Sequence, residues 1–244
     1  MTTYNILTLF PEMFESVCAA SIWARAIKAG HIAVNTVNIR DWATDKHNRA
    51  DDYPLGGGVG MVMKPEPVDA CFKEVISGCE APSINIYMSP CGKTLSHSLV
   101  TELAQYQSLN ILCGHYEGVD ARVLRRHIDL EVSIGDYILT GGELAAMVLI
   151  DACIRHVDGV LGNGESAVGE SFANALLEYP QYTRPAVYDG EAVPEVLLSG
   201  HHANVDAYRR RMSLKETAFR RPDLLSKARL TQKDIDIITS QDDE

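Results

Sequence analysis

Three short glycine-rich segments carry residue types that could bind a ligand through the backbone. They are residues 89–92 (SPCG), 114–118 (GHYEG) and 133–143 (SIGDYILTGGE). Glycine allows close approach of the backbone or a positive φ, and the N–H groups at a helix N-terminus are free to bind a ligand. The alternative for each segment is an ordinary tight connection between a strand and a helix, because short glycine motifs are often structural.

The elements around these segments indicate how they are positioned. The expected strands are residues 4–10, 31–39, 84–88, 110–113 and 130–134, and the expected helices are residues 12–28, 67–76, 96–106, 119–126 and 143–156. Strands that alternate with helices predict an α/β fold with a mostly parallel sheet and helices on both faces. In such sheets ligands bind beyond the carboxyl ends of the strands, so the three segments predict one pocket at that edge.

Other catalytic motifs are weak. The glycine cluster at residues 56–60 (GGGVG) lacks the spacing of a dinucleotide fingerprint, and no Walker-type Gly-Lys-Ser/Thr or Gly-x-Ser-x-Gly motif occurs. The pairs Cys113/His115 and Cys153/His156 do not complete a four-ligand metal site, so no metal ligand is assigned. The long polar segment that contains the cluster, residues 40–61, favours a functional loop.

Composition predicts a soluble, cytoplasmic protein without a membrane span. The longest apolar run, residues 144–150, is too short to cross a bilayer, and the start of the chain does not resemble a signal peptide. Six scattered cysteines without a CxxC pair indicate reduced thiols. The net charge of −11 by itself argues against a polyanionic partner.

The distribution of charge qualifies that argument and suggests three regions. Residues 207–233 contain nine Lys or Arg and two acidic residues, a local charge of +7 that leaves −18 on the rest. Such a block is typical of a face that contacts nucleic acid, although a solvated helix surface is the alternative. Residues 159–171 are rich in Gly, Asn, Ser and Glu and predict a flexible linker. We therefore expect an α/β domain with the pocket at 1–158, this linker at 159–171, and a small helical, basic domain that contacts nucleic acid at 172–244.

Five motifs occur together in an order and spacing that resemble one family. They are residues 51–61 (DDYPLGGGVGM), 87–90 (YMSP), 113–120 (CGHYEGVD), 133–143 and 182–185 (YTRP). From about residue 4 to about residue 238, the chain resembles the bacterial tRNA (guanine-N1)-methyltransferases of the SPOUT superfamily. The resemblance implies transfer of a methyl group from S-adenosylmethionine to N1 of the guanosine just 3′ of the anticodon, position 37 of tRNA. It also implies a trefoil knot, a homodimer with active sites between subunits, and Mg²⁺ as a metal cofactor.

The resemblance carries site residues over by position. Arg155 and Glu170 take the catalytic positions. The cofactor-binding positions fall on the three glycine-rich segments and the strand before the first, namely Tyr87, Met88, Ser89, Pro90, Gly114, Tyr116, Glu117, Ile134, Gly135, Asp136, Tyr137, Ile138, Leu139 and Gly141. A carboxylate can remove the N1 proton of guanine and a guanidinium can stabilise negative charge on O6. Without the resemblance, a helix cap is the more common role for an arginine at the position of Arg155, and Glu170 would be a solvated acid of the linker.

The chain departs from the family pattern at several positions. Glu170 stands where aspartate is usual, His115 where arginine is usual, and Leu55 and Val59 where tyrosine and proline are usual. Four residues of the polar loop are expected to contact tRNA or a second subunit: Asp45, His47, Asp51 and Asp52.

Two other functions share parts of this pattern. A SPOUT-type methyltransferase that acts on a ribose 2′-hydroxyl would use the same cofactor segments. A non-catalytic RNA-binding module would use only the basic C-terminal block.

Overall fold

A computed structural model of the protein describes residues 1–79, 81–162 and 170–240. The chain separates into two compact units, Met1–Gly164 and Glu165–Glu244, and each unit is described by itself. Most of the segment interpreted as a linker, residues 163–169, lies outside the described residues. The proposed three-part division of the chain stays a prediction.

The first unit is organised around a five-stranded sheet. The strands of this unit, in chain order, are β1 (Thr2–Thr8), β2 (Ile32–Asn38), β3 (Asp51–Asp52), β4 (Val62–Met63), β5 (Ser83–Thr94), β6 (Ser108–Cys113) and β7 (Leu130–Ser133). The sheet order is β2-β1-β6-β5-β7, and every neighbouring pair is parallel. The predicted α/β fold with a mostly parallel sheet is confirmed, whereas β3 and β4 form a separate antiparallel pair.

Helices cover both faces of this sheet. They are α1 (Glu15–Cys18), α2 (Ser21–Lys28), α3 (Pro65–Ser77), α4 (His97–Leu103), α5 (Ala121–His127) and α6 (Glu143–Ile154). One buried apolar cluster joins α2, α4 and α6 to the side chains of Tyr4 and Ile6 on β1. A second cluster joins α3 and α5 to Leu7 on the same strand. Because successive side chains of a strand point to opposite faces, β1 contributes to both cores.

Two expected elements differ from the structure. The single helix expected at residues 12–28 is divided into a 3₁₀ turn (Pro11–Phe14), α1 and α2. The break occurs at Ser21, whose φ of 47° is incompatible with a continuous right-handed helix. The polar loop at 40–61 also contains ordered structure, since a 3₁₀ turn (Ile39–Trp42) begins it and β3 lies within it.

The first predicted ligand turn is an excursion within a longer strand. Strand β5 continues to Thr94, but Met88 and Lys93 both pair with Val132 of β7. The four residues between them therefore leave the hydrogen-bond ladder, as in a β-bulge. A Cβ at Gly92 would overlap the backbone of Val132, so only glycine permits this close return of the strand.

A row of asparagines crosses the middle of the sheet. Asn35, Asn5, Asn110 and Asn85 lie in register on β2, β1, β6 and β5. Their side-chain amides form a chain of hydrogen bonds in which each donates to the next, with distances of 2.9, 2.8 and 2.8 Å, and Asn85 donates to the His127 carbonyl at 2.8 Å. Asn110 is fully buried, so its side-chain amide would destabilise the fold if it had no hydrogen-bond partners. The row supplies these partners in the observed register of the strands.

The second unit is mainly helical in its described part. It contains a small antiparallel pair, β8 (Val187–Tyr188) and β9 (Glu191–Ala192), and the helices α7 (Glu195–Leu198), α8 (His202–Arg220), α9 (Pro222–Leu225) and α10 (Gln232–Thr239). Thr231 and Asp234 form the capping box of α10. Arg210 of α8 donates two hydrogen bonds to the Asp234 carboxylate, at 3.0 and 3.1 Å, and so joins α8 to α10. Across the described residues of both units, no helix has the length and apolar character needed to span a membrane.

Candidate functional site

A cavity of about 410 Å³ lies at the carboxyl ends of β5, β6 and β7. Its walls come from the excursion of β5, from the 114–118 turn after β6, and from the 134–142 loop between β7 and α6. Ligand pockets of small molecules typically measure about 300–1,000 Å³. The predicted convergence of the three glycine-rich segments at one edge of the sheet is therefore present in the structure.

The first two segments meet where the side chain of Tyr87 packs against Gly114. A Cβ at Gly114 would lie 2.8 Å from the hydroxyl of Tyr87 and 2.9 Å from its ring. Burial, with smaller effects of Glu131 and Cys91, raises the pKa of Tyr87 to about 12. The Tyr87 hydroxyl is therefore neutral near pH 7 and does not serve as a base.

The 134–142 loop forms another part of the cavity wall. Gly135 has a φ of 148°, and a Cβ there would lie 2.6 Å from the ring of Tyr137. The Ser133 hydroxyl lies 3.2 Å from both the N–H and the carbonyl of Gly135, which stabilises the start of the loop. Ile138 is 79 % exposed, so this part of the loop has little packing of its own.

The loop returns to the sheet beside the end of β6. The Gly142 N–H donates to the Gly114 carbonyl at 2.8 Å, and His115 forms an antiparallel bridge with Gly141. A Cβ at Gly142 would lie 2.8 Å from the Cα of Cys113. Glycine is thus required by close backbone approach at this position, and the second and third segments form one continuous wall.

Of the residues predicted to bind the cofactor, all except Asp136 line this cavity. Asp136 belongs to the same loop as its lining neighbours. The lining residues that the sequence prediction did not name are His115, Gly118, Val132, Ser133, Thr140, Gly142 and Ala145. Most of them are direct neighbours of predicted residues in the same segments. They could have been predicted by including every residue of each glycine-rich segment. Whether the lining residues bind a cofactor stays a prediction.

The 114–118 turn is held from outside the cavity as well. Tyr116 has a positive φ of 59°, its ring packs edge-on against His115 at 4.8 Å between centroids, and its hydroxyl accepts from Arg40 at 3.3 Å. Glu117 packs against Gly60, where a Cβ would lie 2.6 Å from its carboxylate, and its N–H donates to the Met61 carbonyl at 2.9 Å. The glycine cluster of the polar loop therefore lies directly beside the cavity.

The two predicted catalytic residues lie in different units. Arg155 is the C-terminal cap residue of α6 and is half-buried. Glu170 is half-buried at the start of the described part of the second unit, and its carbonyl accepts from Ala173 N–H at 3.2 Å. On α6, Asp151 accepts from the indole N–H of Trp23 at 2.8 Å. The roles assigned to Arg155 and Glu170 stay predictions.

Nucleophilic catalysis by a cysteine is disfavoured beside the cavity. Burial, with a smaller effect of Glu143, raises the pKa of the Cys113 thiol well above its ordinary value, which disfavours a thiolate nucleophile. No group of three or more His, Cys, Asp or Glu within residues 1–79, 81–162 and 170–240 could hold a metal ion. The Mg²⁺ cofactor that the resemblance implies stays a prediction.

Residues of the polar loop that is expected to contact RNA or a second subunit form hydrogen bonds with one another. Backbone and side-chain hydrogen bonds from Arg49, with others from His47 and the charge of Lys64, lower the pKa of Asp45 to about 2. Asp45 is thus an ionised residue that organises its own loop. Leu55 and Val59 are 96 % and 90 % exposed, so the glycine cluster presents two apolar side chains to its surroundings.

Comparison with known proteins agrees with the motif pattern. Residues 2–227 match the sequence model of the family described as tRNA (Guanine-1)-methyltransferase TrmD. The chain is 54 % identical over 231 residues to a protein from Caldanaerobacter subterraneus subsp. tengcongensis, and this match covers 95 % of each chain. It is 54 % identical over 224 residues to one from Ruminiclostridium cellulolyticum, covering 92 % of this chain and 96 % of the relative. A protein from Geotalea uraniireducens is 53 % identical over 231 residues, covering 95 % and 93 %.

Each of these three relatives is named tRNA (guanine-N(1)-)-methyltransferase. The matches extend over nearly the whole length on both sides, and the family match includes all of the segments that line the cavity. The chain therefore belongs to the tRNA (Guanine-1)-methyltransferase family.

Proposed function

We propose that this protein transfers a methyl group from S-adenosylmethionine to N1 of the guanosine immediately 3′ of the anticodon, position 37, in tRNA. The observation that carries the proposal is the cavity at the carboxyl ends of three parallel strands, lined by backbone-rich segments, in a chain of this family. The position of the guanosine rests on the sequence resemblance alone.

The cavity suits an adenosine-containing methyl donor. Its lining combines apolar side chains such as Ile134 and Leu139 with glycines of the three glycine-rich segments. Such a surface can sandwich a purine between apolar groups while backbone groups bind its polar edge. Bound S-adenosylmethionine supplies a methyl group on a sulfonium, and transfer mainly requires alignment with the nucleophile.

The residues of this chain supply proton transfer and charge stabilisation. N1 of guanine carries a proton, so its electron pair becomes available only when that proton leaves. We assign Glu170 as the base that takes it and Arg155 as the cation that stabilises the negative charge on O6. As the N1–methyl bond forms, the carbon–sulfur bond breaks and its electron pair neutralises the sulfonium, which leaves a thioether and a protonated Glu170.

The second unit presents a cationic surface suited to the RNA backbone. On α8, the guanidinium of Arg209 lies 5.0 Å from the centre of the Tyr179 ring, and that of Arg211 lies 5.7 Å from the Tyr208 ring. Aromatic contacts of this kind orient the arginines without neutralising them. We assign this surface, within the 172–244 domain, to phosphates of the tRNA.

The subunit arrangement is part of the proposal. Leu144 and Val148 are four residues apart on α6 and are 51 % and 48 % exposed. Exposed apolar residues that lie together favour a protein interface, and we assign this one to a second copy of the chain. The trefoil knot is also part of the proposal and rests on the sequence resemblance alone.

Methyl transfer to defined transcripts tests the proposal. Labelled S-adenosylmethionine is incubated with tRNA transcripts that differ only at the base 3′ of the anticodon, and the product is mapped to the modified atom. We expect N1-methylguanosine when that base is G and no label when it is A. Label on a ribose would instead support a 2′-O-methyltransferase, and tRNA binding without label would support a non-catalytic RNA-binding module.

A further inference from the structure

A buried carboxylate lies directly behind the cavity wall. Glu143 is the first residue of α6 and is 2 % exposed, but it is not among the residues that line the cavity. A buried carboxylate is costly unless hydrogen bonds or favourable dipoles stabilise it. The proposed reaction assigns this group no role, so its presence in the core needs another explanation.

The carboxylate is bonded to the first strand of the sheet. Its Oε1 accepts from the hydroxyl of Thr8 at 2.8 Å, and the Thr8 hydroxyl in turn accepts from the N–H of Phe10 at 2.9 Å. Thr8 is fully buried at the carboxyl end of β1. The N-terminus of α6 also favours a negative charge at this position. The pair therefore fixes the start of α6 against the central strands.

The same carboxylate lies against the backbone that forms the wall. A Cβ at Gly141 would overlap the Glu143 carboxylate and would lie 2.7 Å from Nδ1 of His115. Both Gly141 and His115 line the cavity. His115 Nδ1 is buried without a hydrogen-bond partner among the described residues, so the bridge between His115 and Gly141 depends on backbone contacts and on the group behind it.

The loop in front of this group has few other supports. Tyr137, Ile138 and Leu139 are 54 %, 79 % and 37 % exposed, although all three line the cavity. The loop is held at its start by the hydrogen bonds of Ser133 with Gly135 and of the Tyr137 hydroxyl with the Ile134 carbonyl. It is held at its end by the hydrogen bond from Gly142 N–H to the Gly114 carbonyl and by the contact of Gly141 with Glu143. A loop with little packing is easily displaced when such an anchor is lost.

We propose that Glu143 and Thr8 are positioning residues that hold the 135–142 wall of the cavity in its binding geometry before the ligand arrives. Preorganisation lowers the free-energy cost of ordering the loop on binding, so the pair increases affinity for the methyl donor and leaves the proton-transfer groups unaffected. The identity of the ligand rests on the proposed function, whereas the effect on the loop does not.

Two measurements test the proposal on the full-length protein. The first is hydrogen exchange of the 135–142 amides without ligand, and the second is the Kd of S-adenosylhomocysteine together with kcat at saturating methyl donor. The perturbing variant is Thr8→Val, which keeps the shape of the side chain and removes the hydroxyl donor. Thr8→Ser restores the hydroxyl, and Glu102→Gln on the exposed surface of α4 is the matched control for a lost carboxylate.

In Thr8→Val we expect faster exchange confined to the 135–142 loop, a Kd about tenfold higher and a kcat within about twofold of the wild type. Thr8→Ser and Glu102→Gln should match the wild type. Glu143→Gln keeps the acceptor for Thr8 but removes the charge, and we expect a Kd about threefold higher. This variant decides the question if Thr8→Val does not fold.

Unchanged exchange of the loop amides in Thr8→Val and Glu143→Gln would overturn the proposal. So would a fall in kcat with an unchanged Kd, since that result would place the pair in the chemical step. If the wild-type protein does not bind S-adenosylhomocysteine, the proposed function is wrong, and the exchange data still decide whether the pair positions the loop.

Discussion

Replacing Asn110 by alanine should remove a large part of the stability of the first unit. The Asn110 amide donates to Asn85 at 2.8 Å, and its carbonyl oxygen accepts from Asn5 at 2.8 Å and from the thiol of Cys79 at 3.2 Å. Truncation leaves a donor on Asn5 and an acceptor on Asn85 without these partners in the interior. Each unsatisfied buried group costs about 1–3 kcal/mol.

Because Asn5 retains a weak contact with Cys79 and Asn85 is half-buried, we expect the low end of the combined range, about 2–4 kcal/mol. Asn35 provides a graded control, since it lies at the exposed end of the row and makes only one of these bonds. Asn35→Ala should cost less than about 1 kcal/mol. Urea unfolding followed by far-ultraviolet circular dichroism gives both free energies of unfolding.

Equal losses of stability in Asn110→Ala and Asn35→Ala would refute the reasoning, because the argument depends on burial in the centre of the row. A further variant, Asn110→Asp, sharpens the test. Burial raises the pKa of an aspartate there, and only the protonated form can donate to Asn85. The stability of Asn110→Asp relative to the wild type should therefore be greatest below about pH 4 and fall as the pH rises through the raised pKa of the folded state.

Three other perturbations have defined outcomes. Glu170→Gln should lower the methyl-transfer rate by about 10²–10⁴-fold in single-turnover assays, with little change in S-adenosylhomocysteine affinity, because an amide cannot take the N1 proton. Gly142→Ala should destabilise the first unit by about 1–3 kcal/mol in thermal unfolding and weaken donor binding, since the new Cβ would lie 2.8 Å from the Cα of Cys113 and 3.0 Å from the N of Gly114. Asp69→Asn should be less stable than the wild type at pH 7, with a difference that shrinks below about pH 4. Hydrogen bonds from Lys73, His127 and Arg126 hold the Asp69 pKa well below its ordinary value, so the ionised form stabilises the fold above the unfolded-state pKa.

Each of these has a control and a contrary result. Glu170→Asp keeps a carboxylate and should retain turnover, and a fully active Glu170→Gln enzyme would exclude this residue as the base. Gly162→Ala adds a Cβ with nothing within 4 Å and should be neutral, so equal effects at Gly142 and Gly162 would contradict the packing argument. For Asp69→Asn, a stability difference independent of pH would show that charge is not the cause.

Local patterns were sufficient to predict most of the first unit. A helix was expected at residues 96–106, and the Ser96 hydroxyl accepts from Leu99 N–H at 3.4 Å at the start of α4. The strand expected at residues 4–10 and the apolar run at residues 144–150 correspond to β1 (Thr2–Thr8) and to α6 (Glu143–Ile154). These features follow from interactions between residues close in sequence. The break at Ser21 was missed because a positive φ at a serine has no strong sequence signal.

For the site, the glycine-rich segments identified the cavity wall, but the residues that support the wall were missed. Thr8 and Glu143 are separated by 135 positions in the chain, and although Glu143 ends the third glycine-rich segment, no motif includes Thr8. Their hydrogen bond exists only because α6 begins beside the carboxyl end of β1. The same applies to the row of asparagines, whose members become neighbours only through the register of four strands.

By itself, the sequence determined the alternation of strands and helices, the family, and the segments that meet at one edge of the sheet. Glycine spacing and apolar periodicity are properties of neighbouring residues, so they can be read without coordinates. Only the tertiary structure decided that β5 returns to its ladder past an excursion, that Gly142 contacts Cys113, and that a buried carboxylate lies behind the cavity wall. The physical reason is that close packing and hydrogen bonding in a parallel sheet depend on strand order and register, which bring together residues distant in the chain.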